Sequence, residues 1–156
     1  MAGDFNADGI LDLAVVNAGD GTISIYMGSV NGSFQRRTLD CSCDIPAAIA
    51  IGDMNNDGRQ DLAVAVFGDG QANVLVFLDN GDGTFQTPPE GYVSDPPEFA
   101  GASAIATADF DGDGNLDLAA TNSNNGNLSI LLGNGDGTFR TSQDYGNTAP
   151  RTSVPC

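Results

Sequence analysis

The same acidic nine-residue loop occurs three times in this chain, and each copy runs directly into a short apolar segment. The three stretches read GDFNADGILDLAV, GDMNNDGRQDLAV and ADFDGDGNLDLAA, and their loops begin at Asp4, Asp53 and Asp109. Self-similarity at a period of roughly 50 residues is typical of repeat folds, in which each unit supplies one small layer of structure. This repeat constrains the fold more than any other feature of the sequence.

Each unit continues in the same order after its loop. The apolar segment (DLAVV, DLAVAVF, DLAAT) is followed by a turn, a second alternating segment (TISIYM, NVLVFL, NLSILL) and a tight turn that ends at Phe34, Phe85 or Phe139. Two-residue alternation, β-branched residues and Asn-Gly turns favour strands joined as hairpins. About four short strands per unit are typical of a propeller blade. A two-layer sandwich is the alternative, but it does not explain why the loop keeps one place in every unit.

We therefore predict an all-β fold of three tandem, four-stranded, propeller-like blades, open rather than closed into a ring within one chain. The predicted repeats are 1–50, 51–106 and 107–149, followed by an orphan strand, 150–156, that could complete a neighbouring repeat. The second and third repeats are preceded by their own apolar strands, AAIAI and SAIAT, whereas the first repeat is expected to lack its first strand.

Oxygen-bearing side chains occupy positions 1, 3, 5 and 9 of every loop, and glycine always occupies position 6. Alternate residues of a curled loop point inward, and glycine permits the sharp turn that brings the position 7 carbonyl to the same point. The predicted metal ligands, with a main-chain carbonyl at position 7, are Asp4, Asn6, Asp8, Ile10 and Asp12; Asp53, Asn55, Asp57, Arg59 and Asp61; and Asp109, Asp111, Asp113, Asn115 and Asp117.

These all-oxygen sets favour Ca²⁺, because the chain has no histidine and the loops contain no cysteine for a softer metal. The pattern begins like an EF-hand, but Val15, Val64 and Ala120 stand at position 12, where an EF-hand has a bidentate glutamate. Such sites should be too weak for cytosolic calcium and adequate at extracellular, millimolar levels. We expect three Ca²⁺ sites in a secreted or cell-surface protein; Asp/Asn/Gly turns that need no metal are the alternative.

Composition excludes several function classes. The chain has 21 acidic residues, 5 basic residues and a formal net charge of −16, which disfavours nucleic acid and anionic membranes as partners. No apolar run is long enough for membrane insertion. Histidine and lysine are absent, which removes the commonest general base and Schiff-base chemistry. The glutamates Glu90 and Glu98 lie in a proline-rich segment, and we do not expect an enzyme.

At these positions the chain resembles the FG-GAP and VCBS-type repeats of integrin α-subunit propellers and of many secreted bacterial proteins. The resemblance covers nearly the whole chain, through the three acidic loops and the GNGDGTF turns. It implies blades whose calcium loops, beginning at Asp4, Asp53 and Asp109, join the first two strands and act structurally. Propellers of this kind usually close with about seven blades, whereas three blades cannot make a ring.

The first function hypothesis is a structural protein that assembles head to tail with copies of itself into a filament or a larger propeller-like array. The orphan strand RTSVPC of one copy would complete the first repeat of the next. Cys156 would then lie near that repeat, where it could form an intermolecular disulfide with Cys41 or Cys43.

The second hypothesis is an adhesion or recognition module, a fragment of a closed propeller that binds glycans or extracellular proteins. Its specificity would lie in RRTLDCSCD and TPPEGYVSDPPEFAG, with Tyr92 and Tyr145 outside the strands. Sequons at Asn31 and Asn127 are consistent with a glycoprotein, although such matches also arise by chance. Between the two hypotheses we favour self-assembly.

Overall fold

A computed structural model of the chain describes residues 1–41, 43, 45–67, 74–86, 101–123, 126–140 and 143–146. Within these residues the regular structure is entirely β, in three antiparallel sheets that do not close into a barrel. Blade 1 contains β1 (Ala2–Gly3), β2 (Asp12–Asn17), β3 (Thr22–Gly28) and β4 (Phe34–Asp40). Blade 2 contains β5 (Ile45–Gly52), β6 (Asp61–Phe67) and β7 (Val74–Phe77). Blade 3 contains β8 (Ala102–Ala108), β9 (Asp117–Asn122), β10 (Asn127–Leu131) and β11 (Gln143–Tyr145).

The three blades stack face to face in chain order, which confirms the predicted open, tandem arrangement. Strand β6 of the middle blade is buried from Asp61 to Val66, because its alternate residues contact different neighbours. Leu62 and Val64 belong to a core shared with blade 1. Ala63 and Ala65 belong to a second core shared with blade 3, where small side chains allow the sheets to approach closely. A two-layer sandwich does not describe this stack of three sheets.

The two junctions between blades are built in the same way. In the first, the carbonyl of Phe5 in the acidic loop of blade 1 accepts a hydrogen bond from the N–H of Gly83 at 2.8 Å, and the ring of Phe5 meets Phe85 edge to face. In the second, the carbonyl of Met54 accepts from the N–H of Gly137 at 3.0 Å. The acidic loops of blades 1 and 2 are therefore the docking points for the second turn of the following blade.

Close packing at the second junction predicts a specific cost at Gly137, which has a φ of +83°. A Cβ added there would lie 2.9 Å from Leu78 of blade 2, whereas Gly126, with a φ of +74°, faces open space. We expect Gly137→Ala to destabilise the fold by about 2–3 kcal/mol, through strain and overpacking together, and Gly126→Ala by about 1 kcal/mol, through strain alone. Urea unfolding measures both values, and equal losses would contradict a tight junction.

The edges of the repeats differ from the expectation. The first repeat does have a short first strand, because Ala2 and Gly3 are enough to pair with Leu13 and Asp12 of β2. The expected boundaries after residues 50 and 106 fall within β5 and β8, since each sheet begins one strand before its acidic loop. The orphan strand, 150–156, lies outside the described residues.

Cys41 and Cys43 form a disulfide with each other, with their Cα atoms 5.1 Å apart. This disulfide lies in the connection between β4 and β5. Cys41 is buried in the core shared by blades 1 and 2. The expected pairing of either cysteine with Cys156 of another copy is therefore wrong for this arrangement, because both sulfurs are already bonded locally. Cys156 itself lies outside the described residues.

Candidate metal centres

Each acidic loop connects the first and second strands of its blade, as the resemblance implies. The aspartate at position 1 organises the loop through main-chain N–H groups. In the first loop the carboxylate of Asp4 accepts from the amides of Asp8 at 3.2 Å and Gly9 at 2.9 Å. Asp53 and Asp109 accept the equivalent two hydrogen bonds in their own loops. The chain thus winds around this first carboxylate in all three blades.

Two residues in each loop adopt left-handed backbone conformations, which produces the tight curl. The predicted glycine at position 6 is left-handed in every loop, with φ values of 81°, 84° and 90° at Gly9, Gly58 and Gly114. Position 4 is also left-handed, with φ values of 56°, 58° and 79° at Ala7, Asn56 and Gly112. The sequence gives little sign of this second position. An alanine there is strained, and such strain is characteristic of functional loops.

The aspartate at position 9 is fully buried in all three loops, at Asp12, Asp61 and Asp117. In the second loop, Asp61 accepts from the amide of Met54 at 2.9 Å and from the amide of Asp79 at 2.8 Å. Asp12 and Asp117 accept from the equivalent amides in blades 1 and 3. This carboxylate therefore ties the start of the acidic loop to the end of the second hairpin strand, a structural role that the sequence pattern did not reveal.

The electrostatic environment of Asp61 opposes its negative charge. Burial raises the pKa of this carboxyl to about 6, although the amides of Asp79 and Met54 act in the opposite direction. The nearby carboxylates of Asp57 and Asp53 raise the pKa further. Burial also raises the pKa of Asp79, a buried aspartate beside this loop that the sequence analysis did not single out. The second loop thus concentrates negative charge around the buried carboxyl of Asp61.

The third loop brings its carboxylates together most closely. One oxygen from each of Asp109, Asp111 and Asp117 lies within 4.8 Å of the others, the one such cluster within the described residues. Loops 1 and 2 have asparagine at position 3, and the side-chain amides of Asn6 and Asn55 donate to the carboxylate at position 5. All three donor sets consist of oxygen atoms and therefore fit a hard cation such as Ca²⁺.

The carboxylate at position 5 is paired with an arginine in blades 2 and 3. The guanidinium of Arg59 binds Asp57 and also donates to the carbonyl of Asp79 at 3.0 Å. Arg140, from a different part of its repeat, lies 3.3 Å from Asp113 and reaches the equivalent carbonyl of Gly133. Arginines from two different positions of the repeat thus place a guanidinium beside the position 5 carboxylate. The sequence analysis assigned Arg59 only a role for its main-chain carbonyl.

Hydrogen bonds and these arginines lower the pKa of both position 5 carboxyls. For Asp57, partial burial raises the pKa, but the amide of Arg59, the side chain of Asn55 and the Arg59 guanidinium together lower it below the usual value. For Asp113, the main-chain amide of Asn115 is the largest cause, followed by its side chain, with Arg140 contributing less. Both carboxylates are therefore held in the ionised form that a metal ligand requires.

Two of the features assigned to a recognition loop lie in strands within the described part of the chain. RRTLD, expected in a loop, forms most of β4, because it pairs with β3 along its length. Tyr145, expected outside the strands, lies in β11 and pairs with Leu128. Tyr92, Glu90, Glu98 and most of TPPEGYVSDPPEFAG lie outside the described residues. The side chain of Asn31 accepts hydrogen bonds from Ser29 and Ser33 and shapes an exposed turn.

Stacked antiparallel sheets, each with an acidic loop between its first two strands, define a tandem-blade protein of the propeller type. The family model for the FG-GAP-like repeat matches residues 4–64, 53–120 and 109–155, and the chain belongs to that family. The predicted resemblance is thereby confirmed. Repeats of this family are typical of extracellular proteins and often bind calcium. No individually curated protein matches the chain, and the described residues include no helix that could span a membrane.

Proposed function

We propose that this chain is an extracellular, calcium-binding structural protein with no catalytic role. The observation that carries the proposal is the convergence of Asp109, Asp111 and Asp117 within 4.8 Å, in a loop whose architecture recurs in the other two blades. Three carboxylates at this separation repel one another, and a divalent cation removes that repulsion. The other predicted ligands occupy equivalent positions and would hold ions in the same manner.

Calcium would act on the junctions between blades as well as on single loops. The carbonyl groups of Phe5 and Met54, which receive the turns of the following blades, each lie one residue after the first predicted ligand. An ion that fixes the loop therefore fixes the position of this acceptor. The ligand sets lack a position 12 glutamate and suit millimolar calcium, which supports a location outside the cell.

We further propose that copies of the chain assemble head to tail into a filament or larger array. Strand β1 pairs with β2 at Asp12 and Leu13, and Met1 exchanges main-chain hydrogen bonds with Ala14, so within the described residues no strand pairs with this edge of β2 beyond Ala14. Such an edge can accept a strand from another chain. Residues 150–156 remain our proposed donor for this pairing.

Isothermal titration of the metal-free chain with calcium tests the proposal. We expect three ions per chain, with dissociation constants in the extracellular range of about 10⁻⁴ to 10⁻³ M. Asp111→Ala should remove one ion, because it deletes a carboxylate of the closest cluster. Asp136→Asn, an exposed aspartate in the second turn of the same blade, is the matched control and should leave three ions bound. Absence of binding, or three ions retained by Asp111→Ala, would contradict the assignment.

A further inference from the structure

We infer that the outer face of blade 3 binds the outer face of blade 1 of a second copy, repeating between chains the junction formed twice within the chain. This inference rests on the proposed function, since it identifies the contact through which copies assemble. The outer face of blade 3 comprises Ala104, Ala106, Ala119, Leu128 and Ile130 with the adjoining Phe110 and Leu132. The outer face of blade 1 comprises Leu13, Val15, Tyr26 and Phe34, with Arg36 beside them, where its guanidinium covers the buried hydroxyl of Ser24.

The outer face of blade 3 is equivalent to the face of blade 2 that packs against blade 3. When the repeats are aligned on their acidic loops, Ala106 and Leu128 correspond to Ala50 and Val74. Ala50 and Val74 are buried in the core between blades 2 and 3, whereas Ala106 and Leu128 are exposed. Among the described residues no further blade covers the outer face of blade 3, which is therefore an apolar docking surface.

The outer face of blade 1 shows the complementary relation. Its Leu13 and Val15 correspond to Leu62 and Val64 of blade 2, which are fully buried against blade 1. Leu13 and Val15 are exposed instead. The chain thus carries both halves of its own internal junction, one at each end of the stack.

Two exposed phenylalanines indicate how these faces would meet. Phe110 is 49% exposed and occupies the loop position of Phe5, and Phe34 is 51% exposed and occupies the turn position of Phe85. Phe5 and Phe85 pack edge to face at the first internal junction, with ring centroids 5.5 Å apart. Phe34 of one copy would pack against Phe110 of the next in the same way.

The turn of blade 1 already has the backbone geometry that this contact needs. Gly32 has a φ of +78°, close to the values of +77° and +83° at Gly83 and Gly137 in the two internal junctions. Those glycines lie against Met27 and Leu78 of the preceding blade, whereas Gly32 faces open space. The side chain that corresponds to Met27 and Leu78 is Leu132, which lines a shallow groove of about 390 Å³ on the outer face of blade 3.

The pairing is head to tail, because each outer face matches the other and not itself. A contact of this kind leaves one free face at each end of the assembly, so it extends into a filament or closes into a ring, depending on the rotation between copies. The partner that binds the outer face of blade 3 is therefore a second copy of the chain.

Sedimentation velocity of the calcium-loaded chain 1–156 tests this contact. We expect the wild-type mass to rise above the monomer with concentration. Val15→Glu on blade 1 or Ala106→Glu on blade 3 should each weaken association about 100-fold, because an unpaired charge would be buried at the contact. Ala18→Glu, in an exposed hairpin turn of blade 1, is the charge-matched control and should assemble like the wild type.

The decisive sample is an equimolar mixture of Val15→Glu and Ala106→Glu. Each variant retains the face that the other has lost, so the mixture should form a dimer with one intact junction and grow no further. A monomeric wild type at about 100 μM, a variant that assembles normally by itself, or a mixture that stays monomeric would overturn the inference. Calcium titration of the same samples separates calcium binding from assembly, because calcium binding by a monomeric chain would contradict head-to-tail assembly and the contact that it uses but would leave the proposed calcium sites standing.

Discussion

Removing calcium with EGTA is expected to lower the thermal unfolding midpoint of this protein by about 15–30 °C. At about 10–100 mM calcium, which is 100 times the expected dissociation constants, each site adds about 2.7 kcal/mol of stability, and three such sites add about 8 kcal/mol. For a domain of this size, 1 kcal/mol shifts the midpoint by about 2–4 °C. The effect would be large because bound ions would neutralise clustered carboxylates that metal-free folding must otherwise bring together.

Circular dichroism melts in calcium and in EGTA measure this shift. The chain has a net charge of −16, so calcium could also stabilise it by general screening. A third melt in EGTA, with sodium chloride added to the same ionic strength, isolates that effect. Magnesium at equal concentration provides a second control, since it prefers fewer protein ligands and should stabilise less. If sodium chloride restored the full midpoint, specific calcium sites would not be the source of stability.

Replacing Asp61 with alanine is expected to cost about 3–5 kcal/mol of unfolding free energy even without calcium. Its two carboxylate oxygens accept hydrogen bonds from the amides of Met54 and Asp79, and the residue is fully buried. Each hydrogen bond to a charged acceptor contributes about 1.5–3 kcal/mol, and both amides would be left buried without that acceptor. Because this loss is measured without calcium, it reports the hydrogen bonds of Asp61 and not a role of Asp61 in binding an ion.

Urea unfolding in EGTA measures the stability that the hydrogen bonds of Asp61 contribute. The same experiment in calcium adds the stability that Asp61 contributes as a calcium ligand. Asp61→Asn keeps the side-chain shape but retains one acceptor oxygen, so its loss should fall between those of the wild type and Asp61→Ala. Asp20→Asn, at an exposed hairpin turn, keeps an oxygen that can accept from Thr22, so it is the control and should leave the unfolding midpoint nearly unchanged. Wild-type stability of Asp61→Ala in EGTA would mean that this carboxylate acts only as a ligand.

The repeated loop predicted much of the fold because local chemistry determines it. Glycine at position 6 adopts the required left-handed conformation at Gly9, Gly58 and Gly114, and alternating apolar residues after each loop form strands. The family resemblance rested on these same residues and was confirmed. Their regular spacing made the repeat readable without any knowledge of long-range contacts.

Side-chain partners across the fold could not be predicted in this way. Nothing in the local sequence indicates that Arg140 reaches Asp113 from 27 residues away, or that the position 9 aspartates bind amides at the far end of a hairpin. RRTLD looked like a loop because its side chains are mostly polar, yet as an edge strand it has one neighbouring strand and stays largely exposed. Exposure at a sheet edge removes the alternating pattern that identifies buried strands.

The sequence by itself determined the class of fold, the number of blades and the location of the acidic loops, because these depend on backbone conformation and hydrophobic spacing within one repeat. Only the tertiary structure decided which face of each sheet is covered, because burial depends on which sheet lies opposite. Leu13 and Leu62 occupy the same position of the repeat, yet one is exposed and the other fully buried. That difference arises from the position of each blade in the stack.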